Sequence, residues 1–197
     1  MVSAAIRDAM KPKIQFILLL LALTTSAPAQ TRDDVLEFAP ANTTVHFTLD
    51  TSFHTVHGSF DLKRGAVHFS PSTGAISGEI VIDATTGQSG NDGRDRKMHK
   101  DVLDSAHYPD IVFRPDRVEG NVAPQGPSTI QVHGTFSLHG ADHEMTVPVQ
   151  LEMAPNSWTV TCHFSVPYVK WGLKNPSTFI LRANEAVALD IHASSPK

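Results

Sequence analysis

The chain has one cysteine, two tryptophans and two tyrosines among 197 residues, and charged side chains make up only 18% of it. A single thiol, Cys162, forbids an intramolecular disulfide and any cysteine-based zinc site. With so few of the largest aromatics, an interior must be filled by medium-sized aliphatic side chains and ten phenylalanines. Cations are not in excess: the formal charge is −4, which argues against a general nucleic-acid or anionic-membrane surface and makes any basic patch local. Long apolar runs are missing too. The longest, Ile14–Thr24, is eleven residues and too short to span a bilayer. Lys11 and Lys13 precede it and Ala27-Pro28-Ala29 follows it, the layout of a secretory leader (residues 1–29) cut before Gln30. Residues 30–197 have one domain's length, with no internal repeat and no second-domain linker.

What is present is alternation. Val45, Phe47 and Leu49 interleave with His46, Thr48 and Asp50, the period of a half-buried strand. The same period recurs at Ile130–Leu138, at Met145–Met153 after a turn at His139–Asp142, at Trp158–Val166 and at Val187–Ile191, with shorter stretches at 58–69, 75–84 and 111–118. Pro124–Pro127 reads as a hairpin loop and Ser194–Lys197 as a short tail. About eight strands, each with one apolar face, make a mainly β fold: an antiparallel sheet closed into a barrel or folded into a sandwich.

One stretch departs from this period, "GNDGRDRKMHKDVLDSAHYPD" (Gly90–Asp110). Within it Asp95, Met98, His99, Val102 and Leu103 recur at helical spacing, Asn91 or Asp92 supplies an N-cap, and Tyr108-Pro109 returns the chain to extended backbone. The spacing predicts a helix over 94–105 with Asp95 and His99 one turn apart, bonded to each other and facing the sheet, and with Arg96, Lys97, Lys100 and Asp104 outward. Residues 94–100 carry four cations and one carboxylate just after three glycines, a combination suited to phosphate or pyrophosphate oxygens. A solvated helix face is the competing reading.

Chemistry of other kinds finds little footing. His139-x-x-x-His143-Glu144 is the best metal-ligand spacing, but a turn between the two histidines keeps them off a shared helical face, so no metal is expected. His46, His133 and His163 fall in the polar phase of strands, and Cys162 in the apolar phase of one. There is no G-x-S-x-G. The chain is therefore not expected to be an enzyme; the alternative is a hydrolase or isomerase with Asp95 and His99 as acid and base.

The segments "GNDGRDRKMHKDVLDSAHYPDIVF" (Gly90–Phe113) and "GTFSLHGADHEMTVPV" (Gly134–Val149) resemble the Arg-Asp to Tyr-Pro stretch and the His-Gly hairpin of the YceI-like family, and "HGSFDLKRGAVHF" (His57–Phe69) resembles its early Gly-x-Phe strand. The C-terminal "VPYVKWGLKNPSTF" (Val166–Phe179) departs from that family's pattern. The resemblance covers about Phe38–Ala193. It implies an extended lipocalin-like antiparallel β-barrel of about eight strands with one short capping α-helix, exported to the periplasm. It also implies a polyisoprenoid, quinone-like or other long-chain lipid in an apolar tunnel, with no further cofactor and no nucleic-acid partner. Tunnel candidates are Phe47, Leu49, Phe136, Leu138, Val147, Val149, Val160 and Phe164, and cap or head-group candidates are Arg94, Asp95, Arg96, His99 and Tyr108. A homodimer, and a barrel serving only as an interaction module, stay open at this point. Mass spectrometry of the exported protein is expected to find Gln30 at the N terminus; a retained Ile14–Thr24 segment would overturn the leader assignment.

Overall fold

The computed structural model describes residues 34–196 except Ser72, so the leader expected over residues 1–29 lies outside the described residues. Nine strands follow one another: β1 (Asp34–Phe38), β2 (Thr43–Asp50), β3 (Thr55–Ser70), β4 (Ala75–Gln88), β5 (Asp110–Glu119), β6 (Gly126–Leu138), β7 (Ala141–Ala154), β8 (Ser157–Val166) and β9 (Val187–Pro196). Between β4 and β5 stand a six-residue helix, α1 (Asp92–Lys97), and a π-helical turn over Met98–Leu103. Every strand pair is antiparallel, in the order β1-β3-β2-β9-β8-β7-β6-β5-β4, and β3 also pairs with β4. That last pairing joins the two ends of the sheet, so β2 to β9 make a closed eight-stranded barrel and the sandwich alternative falls away.

The alternation in sequence becomes alternation in burial, most regularly in β8, where Trp158, Val160, Cys162, Phe164 and Val166 are buried and the residues between them are not. β6 does the same from Ser128 to Leu138. Burial pushes the Cys162 thiol up to about 12, which leaves it uncharged and unreactive. Trp158, on Phe38 at 5.2 Å between ring centroids, is among the most buried side chains.

Several boundaries differ from the sequence reading for local reasons. β1 was not expected; it runs along β3 beyond the end of β2, Phe38 opposite Gly65 and Val45 opposite Phe60. A turn closed by Asn42 separates β1 from β2, its side chain accepting from Ala39 N at 2.7 Å and donating to Glu37 O at 3.1 Å. The β6–β7 turn is only His139-Gly140, both at positive φ, so β7 begins at Ala141. β6 takes in Gly126 and Pro127, and β9 takes in Ser194 to Pro196, which is therefore strand and not tail.

Gly140 shows how the two motifs quoted above meet. It adopts φ +77°, and a Cβ there would stand 2.6 Å from the Tyr108 ring, which also lies 4.6 Å from the His139 ring. The Tyr-Pro end of the helical excursion is thus seated on the His-Gly hairpin. Gly140→Ala is expected to lower stability by about 2 kcal/mol, through left-handed backbone strain and displacement of Tyr108. Chemical denaturation of both proteins measures it.

Candidate functional site

The barrel is hollow. A cavity of about 500 Å3 occupies the end bounded by the β2–β3 turn, the helical excursion and the long β8–β9 connection. A second, of about 120 Å3, lies deeper, and Ile82, Ile111 and Phe136 stand in the walls of both. The space follows from residue size: inward positions are mostly Val, Leu, Ile and Phe, and eight strands enclose more volume than these fill.

Each expected tunnel residue has a definite place. Phe47, Leu49, Phe136 and Leu138 line the larger cavity, while Val147, Val149, Val160, Phe164 and again Phe136 line the smaller one. Leu49 is half-buried and the others are buried. The sequence reading missed the contribution of the β8–β9 connection, from which Tyr168, Leu173, Pro176 and Leu181 enter the larger wall. That connection lacks periodic spacing, so period alone does not reveal its inward residues. Tyr168 is fastened by its hydroxyl, which donates to Asn184 O at 2.7 Å; burial, with the charge of Glu185, pushes that hydroxyl up to about 12.

The charged excursion forms a strap along one side of this cavity. Asn91 caps α1, its Oδ1 accepting from Arg94 N at 3.0 Å. The expected bond between Asp95 and His99 does not form, because Gly87 at the end of β4 and Ser89 just beyond it offer them other partners. Asp95 Oδ1 accepts from Ser89 N at 3.0 Å and from Ser89 Oγ. His99 Nε2 donates to Gly87 O at 2.8 Å, and its Nδ1 lies 3.0 Å from the buried Ser105 Oγ. A carbonyl has no proton to give, so the proton on Nε2 follows from this geometry. Gly87 permits the close approach: a Cβ there would meet the Phe60 ring at 2.4 Å and Met98 Cε at 2.9 Å. The single helix expected over 94–105 is two pieces, α1 and then the wider π turn, which ends where Asp104, at φ 45°, donates its N–H to His99 O. Met98, Val102 and Leu103 pack on the barrel core as their spacing predicts, and all three line the larger cavity.

The cations divide unequally. Arg94 lines the cavity and is tied back by Nε to Ser89 Oγ at 2.6 Å and by its terminal nitrogen to Ser89 O at 2.8 Å. Lys97, expected to point outward, lines the cavity too, and its Nζ donates to Pro176 O at 3.0 Å, joining strap to β8–β9 connection. Its place reflects a long apolar stem laid along an apolar wall with the ammonium at the rim. The i, i+3, i+4 spacing of Arg94, Lys97 and Met98 carried that signal. Arg96 and Lys100 are exposed, and Asp104 pairs with His107 at 2.8 Å. Asp95, Arg96, His99 and Tyr108 do not line either cavity.

Among the described residues no group of three or more His, Cys, Asp or Glu side chains is arranged to hold a metal ion. His139 and His143 engage different aromatics, Tyr108 and Trp171, the latter stacked at 4.2 Å and 1°. His46 and His163 are exposed, and His133 is half-buried beside Asp116 at 2.8 Å.

A closed antiparallel barrel with an apolar interior and a helical strap at one end defines a hollow, lipocalin-like barrel. Within that class the chain belongs to the YceI-like family, whose domain model matches residues 36–194. Its fold is similar to that of Burkholderia cenocepacia BcnA, at 18% identity and a TM-score of 0.64 over 78% of this chain and 96% of that one. It is similar also to a polyisoprenoid binding domain from Saccharophagus degradans implicated in plant cell wall breakdown, at 14% identity and a TM-score of 0.60 over 81% and 96%. The Campylobacter jejuni YceI protein is a third similar structure, at 11% identity and a TM-score of 0.54 over 100% and 99%. A search of curated protein sequences finds no match.

The strap should respond to acid. Partial burial opposes the charge on Asp95, but the Ser89 hydrogen bonds and the Arg94 guanidinium outweigh it and hold its carboxyl below the usual carboxylate range. The folded value lies below the unfolded one, so the stabilisation is complete above about pH 4 and is lost as pH falls through the lower folded value. Asp95→Asn is expected to lower stability at neutral pH by about 1 kcal/mol, the low end for charge-assisted bonds because the site is partly solvated. The gap between variant and wild type should close on acidification, as read by thermal melts at several pH values.

Proposed function

We propose that the protein holds one long-chain lipid, a polyisoprenoid or a comparable amphiphile, with its tail in the two cavities and its polar end at the strap, and that it works outside the cytoplasm as a carrier or store. The observation that carries this reading is the larger cavity, whose 500 Å3 is walled mainly by apolar side chains and has Arg94 and Lys97 on one side. That volume lies within the roughly 300–1,000 Å3 of small-molecule sites. Each CH2 moved from water into it gains about 0.8 kcal/mol before ordering costs. The Saccharophagus degradans domain with this fold is a polyisoprenoid binding domain, which supports the same ligand class here. Export rests on the leader-like N terminus and on membership of the family; among the described residues no helix is long and apolar enough to cross a membrane.

Binding is favoured over catalysis by the positions of Asp95 and His99. Asp95 is engaged by Ser89 and His99 by Gly87, and neither lines a cavity, so an acid–base pair facing an apolar substrate finds no support.

Two substitutions test the reading. Leu49→Trp, at a half-buried position in the larger wall, places extra volume in the cavity and is expected to weaken polyprenyl phosphate at least about tenfold with little change in melting temperature. Unchanged affinity would overturn the proposed site. The double change Arg94→Ala and Lys97→Ala is expected to weaken polyprenyl phosphate by at least about tenfold and leave polyprenol nearly unaffected, since charge-assisted bonds are lost only to the phosphate. Equal losses for both ligands would assign the two cations to strap docking alone. Isothermal titration or native mass spectrometry reads both.

A further inference from the structure

The largest exposed apolar side chains gather beside the cavity. Phe53 is 68% exposed, Phe179 101% and Ile180 74%. Each sits at the tip of a tight turn. Thr51 closes the first, its N–H and Oγ1 both donating to His54 O, at 3.1 and 2.6 Å. Thr178 closes the second, its N–H donating to Leu181 O at 2.7 Å while its Oγ1 accepts from Leu181 N at 3.1 Å. The turns are bound side by side: Ser52 N donates to Arg182 O at 2.8 Å, Arg182 N donates to Ser52 Oγ at 3.2 Å, and Thr51 bridges Ala183.

The flanks of both tips build the cavity rim. Thr51, His54, Thr178 and Leu181 line the larger cavity, and the residues between them face solvent. Along the connection that carries the second tip the charge runs against that of the molecule. The connection over residues 167–186 carries Lys170, Lys174 and Arg182 and one carboxylate, Glu185, in a chain of net −4. All three cations are exposed and, among the described residues, none has an acidic side chain within 4.0 Å. The nearest carboxylates in sequence, Asp50 and Glu185, stand at a strand end and a loop exit, outside both tips, and Asp50 accepts from Thr55 at 2.7 Å.

Hairpin tips are ordinarily polar, and three large apolar side chains on two adjoining tips, one of them on a connection with three exposed cations, need a covering surface. We propose that the paired turns are a membrane-docking surface: Phe53, Phe179 and Ile180 enter the acyl boundary of a bilayer while Lys170, Lys174 and Arg182 meet anionic lipid head groups. Aromatic and aliphatic insertion combined with electrostatic attraction is the recognised chemistry of interfacial binding. Docked so, the cavity rim faces the bilayer. The surface is separate from the cavity wall, and its test does not depend on what the cavity holds.

The experiment is co-sedimentation of the purified secreted protein with phosphatidylglycerol vesicles and with phosphatidylcholine vesicles. Wild type is expected to sediment with the first, more weakly with the second, and less with the first as salt is raised. Changing Phe53, Phe179 and Ile180 together to Ser is expected to reduce binding at least about tenfold, and changing Lys170, Lys174 and Arg182 together to Gln to abolish the preference for anionic vesicles. All variants share one N terminus, so differences report the tips. A wild type that stays in solution, or a triple Ser variant that sediments like wild type, overturns the proposal. A concentration-dependent dimer in sedimentation velocity, lost in the triple Ser variant and without vesicle binding, also overturns it and assigns the tips to a second copy of the chain. Should the triple Ser variant fail to fold, Phe179→Trp decides. Its fluorescence is expected to shift to the blue with anionic vesicles, and an unshifted spectrum overturns the proposal.

Discussion

The pairing of β3 with β4 is the constraint on which the rest depends. Without it the chain would be an open nine-stranded sheet with long free edges and an apolar face in need of cover. With it, the sheet turns its apolar face on itself, and eight strands set a diameter that valine, leucine, isoleucine and phenylalanine do not fill. The closure is imperfect: the register shifts between Ser59 and Asp61 and between Leu62 and Arg64, irregularities of the kind that let a strand bend. The first half of β3 thereby borders β2 and the second half β1, around one continuous core.

Closure also explains the charged excursion. Between β4 and β5 the ladder holds only from Ile80–Asp83 to Asp110–Phe113. Beyond it the end of β4 and the residue that follows it turn their hydrogen bonds to the strap: Gly87 to His99, and Ser89 to both Arg94 and Asp95. The acidic and basic residues that stand out in composition are thus largely engaged in stitching, and their meaning lies in the bonds of Ser89 as much as in their charge. Tyr108 on Gly140 ties the far end of the strap to the neighbouring hairpin.

The period-two runs made the strands from Thr43 to Ile191 legible, because a barrel wall has one dry face and alternation records it directly. β1 was not legible; five residues interrupted by the Asn42 turn are too short to show a period. The helical excursion was visible as a departure, and its apolar contacts followed from spacing, but the π turn did not, since a wider turn leaves i, i+3 and i+4 neighbours nearly where an α-helix puts them. The bond partners of Asp95 and His99 lay out of reach because they are Ser89, Gly87 and Ser105, backbone and serine atoms that no side-chain pattern marks. The same limit hid the β8–β9 connection, where Tyr168 and Leu173 face inward while Phe179 and Ile180 face outward without any period to separate them.

The strap has a mechanical consequence. Most of the barrel wall is held by ladders of main-chain hydrogen bonds, which separate only by breaking a cooperative run. Along the end of β4 the wall is closed instead by a few side-chain contacts, and Met98, Val102 and Leu103 do the work of a missing strand. A breach there breaks only these contacts and leaves every ladder intact. The barrel is then less a cup with a lid than a purse with a side seam, a wall that can part between strands without unzipping any of them.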